Sequence, residues 1–233
     1  MPLQSLLDDT VADITALYGG TIGIAVAGAD GVTMAGFDAP SPAWSTIKVP
    51  IAIAALRADP GLYADAQAAL TVSDNDAAAR LYDAVGPDAV NQVLAEMGAG
   101  AQVNTVLTRP GFSTFGQTML TTGQEAVMAG QLACVPGAGD VVALMRQVDA
   151  SQAYGLGTTG DAAYKGGWGP DEAGMYTTRQ FGLMPRGDGT FAPVALTALP
   201  ADGLYATGQA MLNAAAQQLA TNAVALPAAS CQP

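Results

Sequence analysis

Ser45 and Lys48, three residues apart, are the first pair in this chain whose types and spacing could do covalent chemistry. On a helix, positions i and i+3 share a face, so the amine can approach the hydroxyl and, when neutral, take its proton. A serine at the start of such a helix also lies among unpaired backbone N–H groups, at the end of the helix dipole that favours a developing oxyanion. Taken alone, the pair is better read as an ordinary N-cap serine followed by a solvated lysine. A second group, Ser73-Asp74-Asn75, stands where the next helix begins, and its ordinary use is again capping. A third, Lys165-Gly166-Gly167, falls in a strand-like segment. Two glycines weaken a strand interior and make sense where another backbone or a ligand must come close. The chain has two lysines and seven serines, and in such a composition the three spacings coincide by chance in roughly one or two sequences in ten thousand. The trio therefore carries weight that no single member does.

Histidine is absent, which removes Ser-His-Asp and Cys-His machinery and any His-ligated zinc. A nucleophile here must use a lysine or a carboxylate as its base, and neither a metal nor a cofactor is expected. The net charge of −12, from 20 acidic against 8 basic residues, leaves no basic cluster for nucleic acid or an anionic membrane. No apolar run reaches the roughly 18 residues of a membrane span. Residues 1–13 lack the basic and apolar regions of a signal peptide. Cys134 and Cys231 are either two unrelated thiols or a bridge that ties down the C-terminal tail; the bridge is expected, and with it an oxidising compartment. A secreted or cell-envelope protein whose leader is missing from this sequence follows, with the cytoplasm as the alternative.

The elements that must hold these residues can be read from periodicity. Leu3, Leu6, Leu7, Val11, Ile14 and Leu17 predict a helix ended by Gly19-Gly20. Residues 21–27 and 31–37 read as a β-hairpin, and Pro40 and Pro42 precede a helix from Trp44 or Ser45 to about Arg57. Residues 76–97 look helical with a break at Gly86-Pro87, 99–118 read as a loop, and helices resume over 122–133 and 140–148. Three strands follow, 162–168, 176–184 and 191–199, and a helix over about 203–220 closes the chain. The simplest packing of that order is α/β (α+β): an antiparallel sheet of N- and C-terminal strands flanked by helices, with an inserted helical subdomain. With no linker-like stretch, one domain is expected over 1–233, its sheet part about 1–45 and 155–233 and its helical part about 46–154. A monomer is expected.

The trio resembles the Ser-x-x-Lys, Ser-Asp-Asn and Lys-Thr-Gly signature of class A β-lactamases and penicillin-binding proteins, and the order of elements suits that fold. Ser45-Thr46-Ile47-Lys48-Val49-Pro50 is similar to the nucleophile segment of many penicillin-binding proteins. The resemblance implies that Ser45 is acylated, that Lys48 is its general base and that Ser73 relays a proton to the leaving nitrogen. It further implies that Asn75 holds a substrate amide, that Lys165 supplies positive charge and that the N–H groups of Ser45 and Trp168 form the oxyanion hole. Lys165 beside Lys48, together with partial burial, should lower the Lys48 pKa and free a neutral amine. That amine is expected within hydrogen-bond reach of Ser45 Oγ, with Ser73 and Lys165 lining the same cleft. Arg179 is a weaker candidate for a substrate carboxylate, with a surface role as the alternative, and Glu172 a weaker candidate for the cleft edge.

Three departures from the signature bear on function. Only 27 residues lie between Ser45 and Ser73, which predicts a reduced helical part and an open cleft. Lys-Gly-Gly replaces Lys-Thr-Gly, so Gly166 lacks the hydroxyl that in the family contacts a substrate carboxylate, with Gly167 and Trp168 completing the expected binding strand. The 99–118 loop has no Glu, the residue that in class A enzymes activates the deacylating water. The expected substrate is a small molecule or peptidoglycan fragment: a β-lactam, a D-alanyl peptide or an ester. Slow deacylation is expected, with a non-hydrolytic binding or regulatory module of the same fold as the alternative.

Overall fold

The computed structural model describes residues 2–232. A five-stranded antiparallel sheet runs in the order β2-β1-β7-β6-β5, from β1 (Thr21–Gly28), β2 (Gly31–Gly36), β5 (Ala163–Pro170), β6 (Tyr176–Pro185) and β7 (Phe191–Leu199). The two ends of the chain meet where β1 pairs with β7, Ile24 opposite Leu196. Strand alternation divides the side chains between two layers. Ile22, Ile24, Val26, Val194 and Leu196 pack with α1 (Leu3–Tyr18) and α7 (Tyr205–Thr221). Ala25, Ala195, Phe181 and Leu183 face the core shared with the inserted helices.

That insertion holds α2 (Lys48–Ala58), α3 (Tyr63–Thr71), α4 (Asn75–Glu96), α5 (Thr122–Gln131) and α6 (Gly139–Met145). Helix α2 is buried from Lys48 through Leu56 on every side, which fits its nearly unbroken apolar sequence and makes it the central rod of this layer. Gly86 (φ 71°, ψ 174°) breaks α4 before Pro87, as the sequence predicts: glycine accepts the conformation and the proline cannot continue a helical ladder. Helix α3 is missed by the sequence reading, because its Ala-rich turns show a weak amphipathic stripe. Also missed is a two-residue ladder between β3 (Ser41–Pro42) and β4 (Met119–Leu120), too short to leave a period. Residues 99–118 are irregular apart from one 3₁₀ turn at Phe115–Gln117. The expected bridge forms between Cys134 and Cys231, with Cα atoms 5.3 Å apart. Among the described residues no helix is long and apolar enough to cross a membrane.

Candidate active site

Ser45 lies in a 3₁₀ turn, Trp44–Ile47, and Lys48 opens α2 directly after it. The turn is clamped at its start by two backbone hydrogen bonds, Ala43 N–H to Thr118 O and Thr46 N–H to Ala43 O. Trp44, the residue before the serine, has φ +51°, and Ser73 has φ +59°; these are the two described non-glycine residues with positive φ. Strained backbone of this kind costs on the order of 1–3 kcal/mol and persists only where the surroundings over-determine it. Both instances adjoin or belong to the trio.

The amine of Lys48, 1% exposed, sits 2.7 Å from Ser73 O, 2.8 Å from Asn75 Oδ1, 3.2 Å from Asp74 O and 3.3 Å from Ser73 Oγ. Ser45 Oγ is not among its hydrogen-bond partners, so the expected direct contact is not made. Lys165, fully buried, donates to Ser73 Oγ at 3.0 Å and to Gly166 O at 2.9 Å. The Ser73 hydroxyl thus joins the two amines. The left-handed backbone at Ser73 and the cap that Asp74 Oδ1 forms with Ala77 N–H fix the turn that presents all four acceptors.

Burial lowers the Lys48 pKa to about 8, partly opposed by the Asp74 carboxylate. Burial lowers that of Lys165 further, and the nearby Lys48 charge adds to the effect. The Lys48 pKa is lowered, as the sequence predicts, and Lys165 is completely enclosed and hydrogen-bonded to no carboxylate.

Gly167 explains how the serine turn comes against the edge strand β5. A Cβ at this position would lie 2.6 Å from Ala43 O, 2.9 Å from Ser45 N and 3.1 Å from Thr46 N, so only glycine lets the two backbones approach. One at Gly169 would meet the Trp44 ring at 2.7 Å. A cleft of about 280 Å³ opens here, lined by Ser45, Lys48, Ser73 and Asn75 on one side and by Trp44, Phe112 and Trp168 among others on the rest. The 99–118 loop forms its rim, held by the buried Gln117 side chain, which accepts from Thr108 and Arg109 N–H groups and donates to Ser113 O. Arg109 straps the loop down: its guanidinium lies 4.7 Å from the Phe112 ring and 5.7 Å from the Trp44 ring and donates to Pro170 O. Among the described residues lining the cleft none is a carboxylate.

Ser45, Lys48, Ser73, Asn75 and Trp168 therefore converge on one cleft, with Lys165 and Gly167 directly beneath it. Arg179 does not join them, and neither of its expected roles holds. It is fully buried, its Nε and Nη2 on Glu125 Oε2 at 2.9 and 2.8 Å and its remaining donors on Ser41 O, Pro42 O and Leu120 O. Glu172 is exposed and does not line the cleft. The residue the sequence reading missed is Glu125. Its Oε1 lies 2.6 Å from Thr46 Oγ1, so the Glu125–Arg179 pair props the residue next to Ser45 from below. Burial pushes this carboxyl up, against the pull of Arg179. That helix opens on a capping box of Thr121 and Gln124, and nothing in the sequence signalled a buried acid there.

No protein-family model and no curated protein matches the sequence. Solved structures match it over nearly its whole length. A β-lactamase from Chitinophaga pinensis superposes with TM-score 0.77 at 15% identity, covering 92% of this chain and 98% of that one. A class A β-lactamase from Bacteroides cellulosilyticus gives TM-score 0.77 at 14% identity over 97% and 99%. A β-lactamase from Xanthomonas campestris gives 0.72 at 19% over 94% and 98%. The chain has the β-lactamase fold, as the resemblance of its motifs implies.

Proposed function

We propose that the protein is a serine hydrolase or acyltransferase that is acylated at Ser45 and releases the acyl group slowly. The observation that carries this reading is the Ser73 hydroxyl held between the Lys48 and Lys165 amines at the floor of the cleft that contains Ser45. Two amines of depressed pKa provide a base without histidine. In the proposed sequence, neutral Lys48 takes the Ser45 proton as Oγ bonds to the substrate carbonyl carbon. The N–H groups of Ser45 and Trp168 receive the oxyanion. As the tetrahedral intermediate collapses, the carbonyl-to-leaving-group bond breaks, and the leaving atom takes a proton from Ser73, which is resupplied from Lys48. Asn75 is placed to hold a substrate amide.

Deacylation needs a water and a base against the ester carbonyl. The cleft offers Ser113 and backbone from the 99–118 loop but no carboxylate, and general-base assistance is worth about 10²- to 10⁴-fold. The acyl-enzyme should be long-lived. The disulfide fits an oxidising compartment and so a secreted or envelope protein acting on a β-lactam, a D-alanyl peptide or an ester. The chain would act as one β-lactamase-like unit, its sheet and helical parts meeting at the cleft. Burst kinetics with a chromogenic cephalosporin test this reading: about one product per protein followed by a near-flat trace is expected. Steady turnover near the roughly 10 s⁻¹ typical of enzymes would overturn slow deacylation.

A further inference from the structure

Each polar contact of the fully buried Arg179–Glu125 pair falls on a segment that leads into or out of the site. Before Ser45, Arg179 Nη1 donates to Ser41 O at 3.0 Å and to Pro42 O at 3.1 Å. After it, Thr46 Oγ1 lies 2.6 Å from Glu125 Oε1 and 2.7 Å from Ala43 O. Arg179 also donates to Leu120 O at 3.3 Å, in the ladder that pairs Ser41 with Leu120, so the same guanidinium ties down the exit of the 99–118 loop. The pair thus grips the serine turn on both sides, and none of Thr46, Glu125 and Arg179 lines the cleft.

The other attachment of the pair is the sheet. Arg179 stands on β6 opposite Gly167, and the neighbouring positions in register are Thr178 and Trp168. Gly167 is where β5 abuts Ala43 O, Ser45 N and Thr46 N. The two N–H groups assigned to the oxyanion, of Ser45 and of Trp168, therefore belong to segments that touch at Gly167 and share β6 as an anchor. Trp168 is tied to β6 by strand pairing, and the serine turn by the side chains of Arg179, Glu125 and Thr46. A buried ion pair adds little net stability over apolar residues of similar volume, so stability alone does not account for this one.

Resting on the acylation of Ser45, we propose that the Thr46–Glu125–Arg179 chain is a positioning element that sets the spacing of the Ser45 and Trp168 N–H groups, and with it the rate at which bound substrate is acylated. Thr46→Val tests it by removing the hydroxyl while keeping the shape of the side chain. In single turnovers of the 4-nitrophenyl ester of phenylacetylglycine, Ser45 Oγ bonds to the ester carbonyl carbon, the C–O bond breaks and 4-nitrophenol departs with the serine proton. The limiting rate should fall about 10- to 100-fold, the scale of a misplacement approaching 1 Å, while the half-saturating ester concentration moves less than about threefold. Thr46→Ser, which restores the hydroxyl, should recover the rate to within about threefold of wild type. Leu7→Ala, in the core on the α1 side of the sheet, lowers stability without touching the turn and should leave the rate unchanged well below its Tm. A wild-type rate in Thr46→Val, a loss confined to half-saturation, no recovery in Thr46→Ser, or an equal loss in Leu7→Ala would overturn the proposal. Amide exchange followed by NMR gives a readout that needs no acylation. The Ala43 and Thr46 N–H groups, bonded to Thr118 O and Ala43 O, should exchange at least about tenfold faster in Thr46→Val and at the wild-type rate in Thr46→Ser. If wild type is not acylated but exchange follows that pattern, the nucleophile assignment fails and the positioning element stands; unchanged exchange overturns the element.

Discussion

Gly167→Ala is the smallest change that reaches the heart of the site. The added methyl carbon would sit 2.6 Å from Ala43 O and 2.9 Å from Ser45 N, both backbone atoms of a turn fixed by hydrogen bonds on either side. Opening the closer contact to an ordinary ~3.2 Å separates strand and turn by about 0.6 Å. Overpacking of this kind costs about 1–3 kcal/mol, which for a chain of 233 residues lowers Tm by roughly 2–12 °C. The functional loss should be larger than the stability loss. The displaced groups are the nucleophile and its own N–H, and a misplacement approaching 1 Å costs on the order of 10²-fold in rate. The assay pairs thermal unfolding with the rate of Ser45 acylation by an activated ester, followed by intact mass. Gly139→Ala is the control, since nothing lies within 4 Å of its Cβ position and α6 already begins there. It should be neutral or slightly stabilising and leave acylation unchanged. If Gly167→Ala is as stable and as reactive as wild type, close approach of β5 to the serine turn is not what this glycine provides.

Acylation should rise with pH, since Lys48 acts as a base only when neutral and its pKa is about 8. The rate at pH 7 should be about one-tenth of the plateau approached above about pH 9, and a flat profile from pH 6 to 9 would remove Lys48 from the base role. Glu125→Ala leaves Arg179 charged and fully buried without a counter-ion, a loss of about 3–5 kcal/mol in urea titration; replacing both by leucine and methionine should cost clearly less. Denatured, unreduced protein should show no free thiol. Reduction of Cys134–Cys231, 97 residues apart in sequence, should lower Tm by roughly 10 °C, from a chain-entropy effect of up to about 4.7 kcal/mol.

Much of this architecture was legible because it rests on local signals. The hairpin, the three C-terminal strands and the break at Gly86-Pro87 follow from alternation and from glycine and proline, and the trio predicted a shared cleft that Ser45, Lys48 and Ser73 line. What escaped depends on tertiary burial. Arg179 looks like an exposed strand arginine until the sheet closes over it, and Glu125 gives no periodic sign that it will lie beneath Thr46. Gly167 read correctly as a point of close approach, but only the structure names the backbone that approaches.

The most direct measurement is intact mass with peptide mapping after incubation with a panel of penicillins, a cephalosporin and an activated aryl ester. A single acyl adduct on the peptide containing Ser45, persisting for many minutes and absent from Ser45→Ala, is the predicted result. An adduct on another residue, or an unmodified protein after exposure to every member of the panel, would contradict the assignment of Ser45 as the nucleophile.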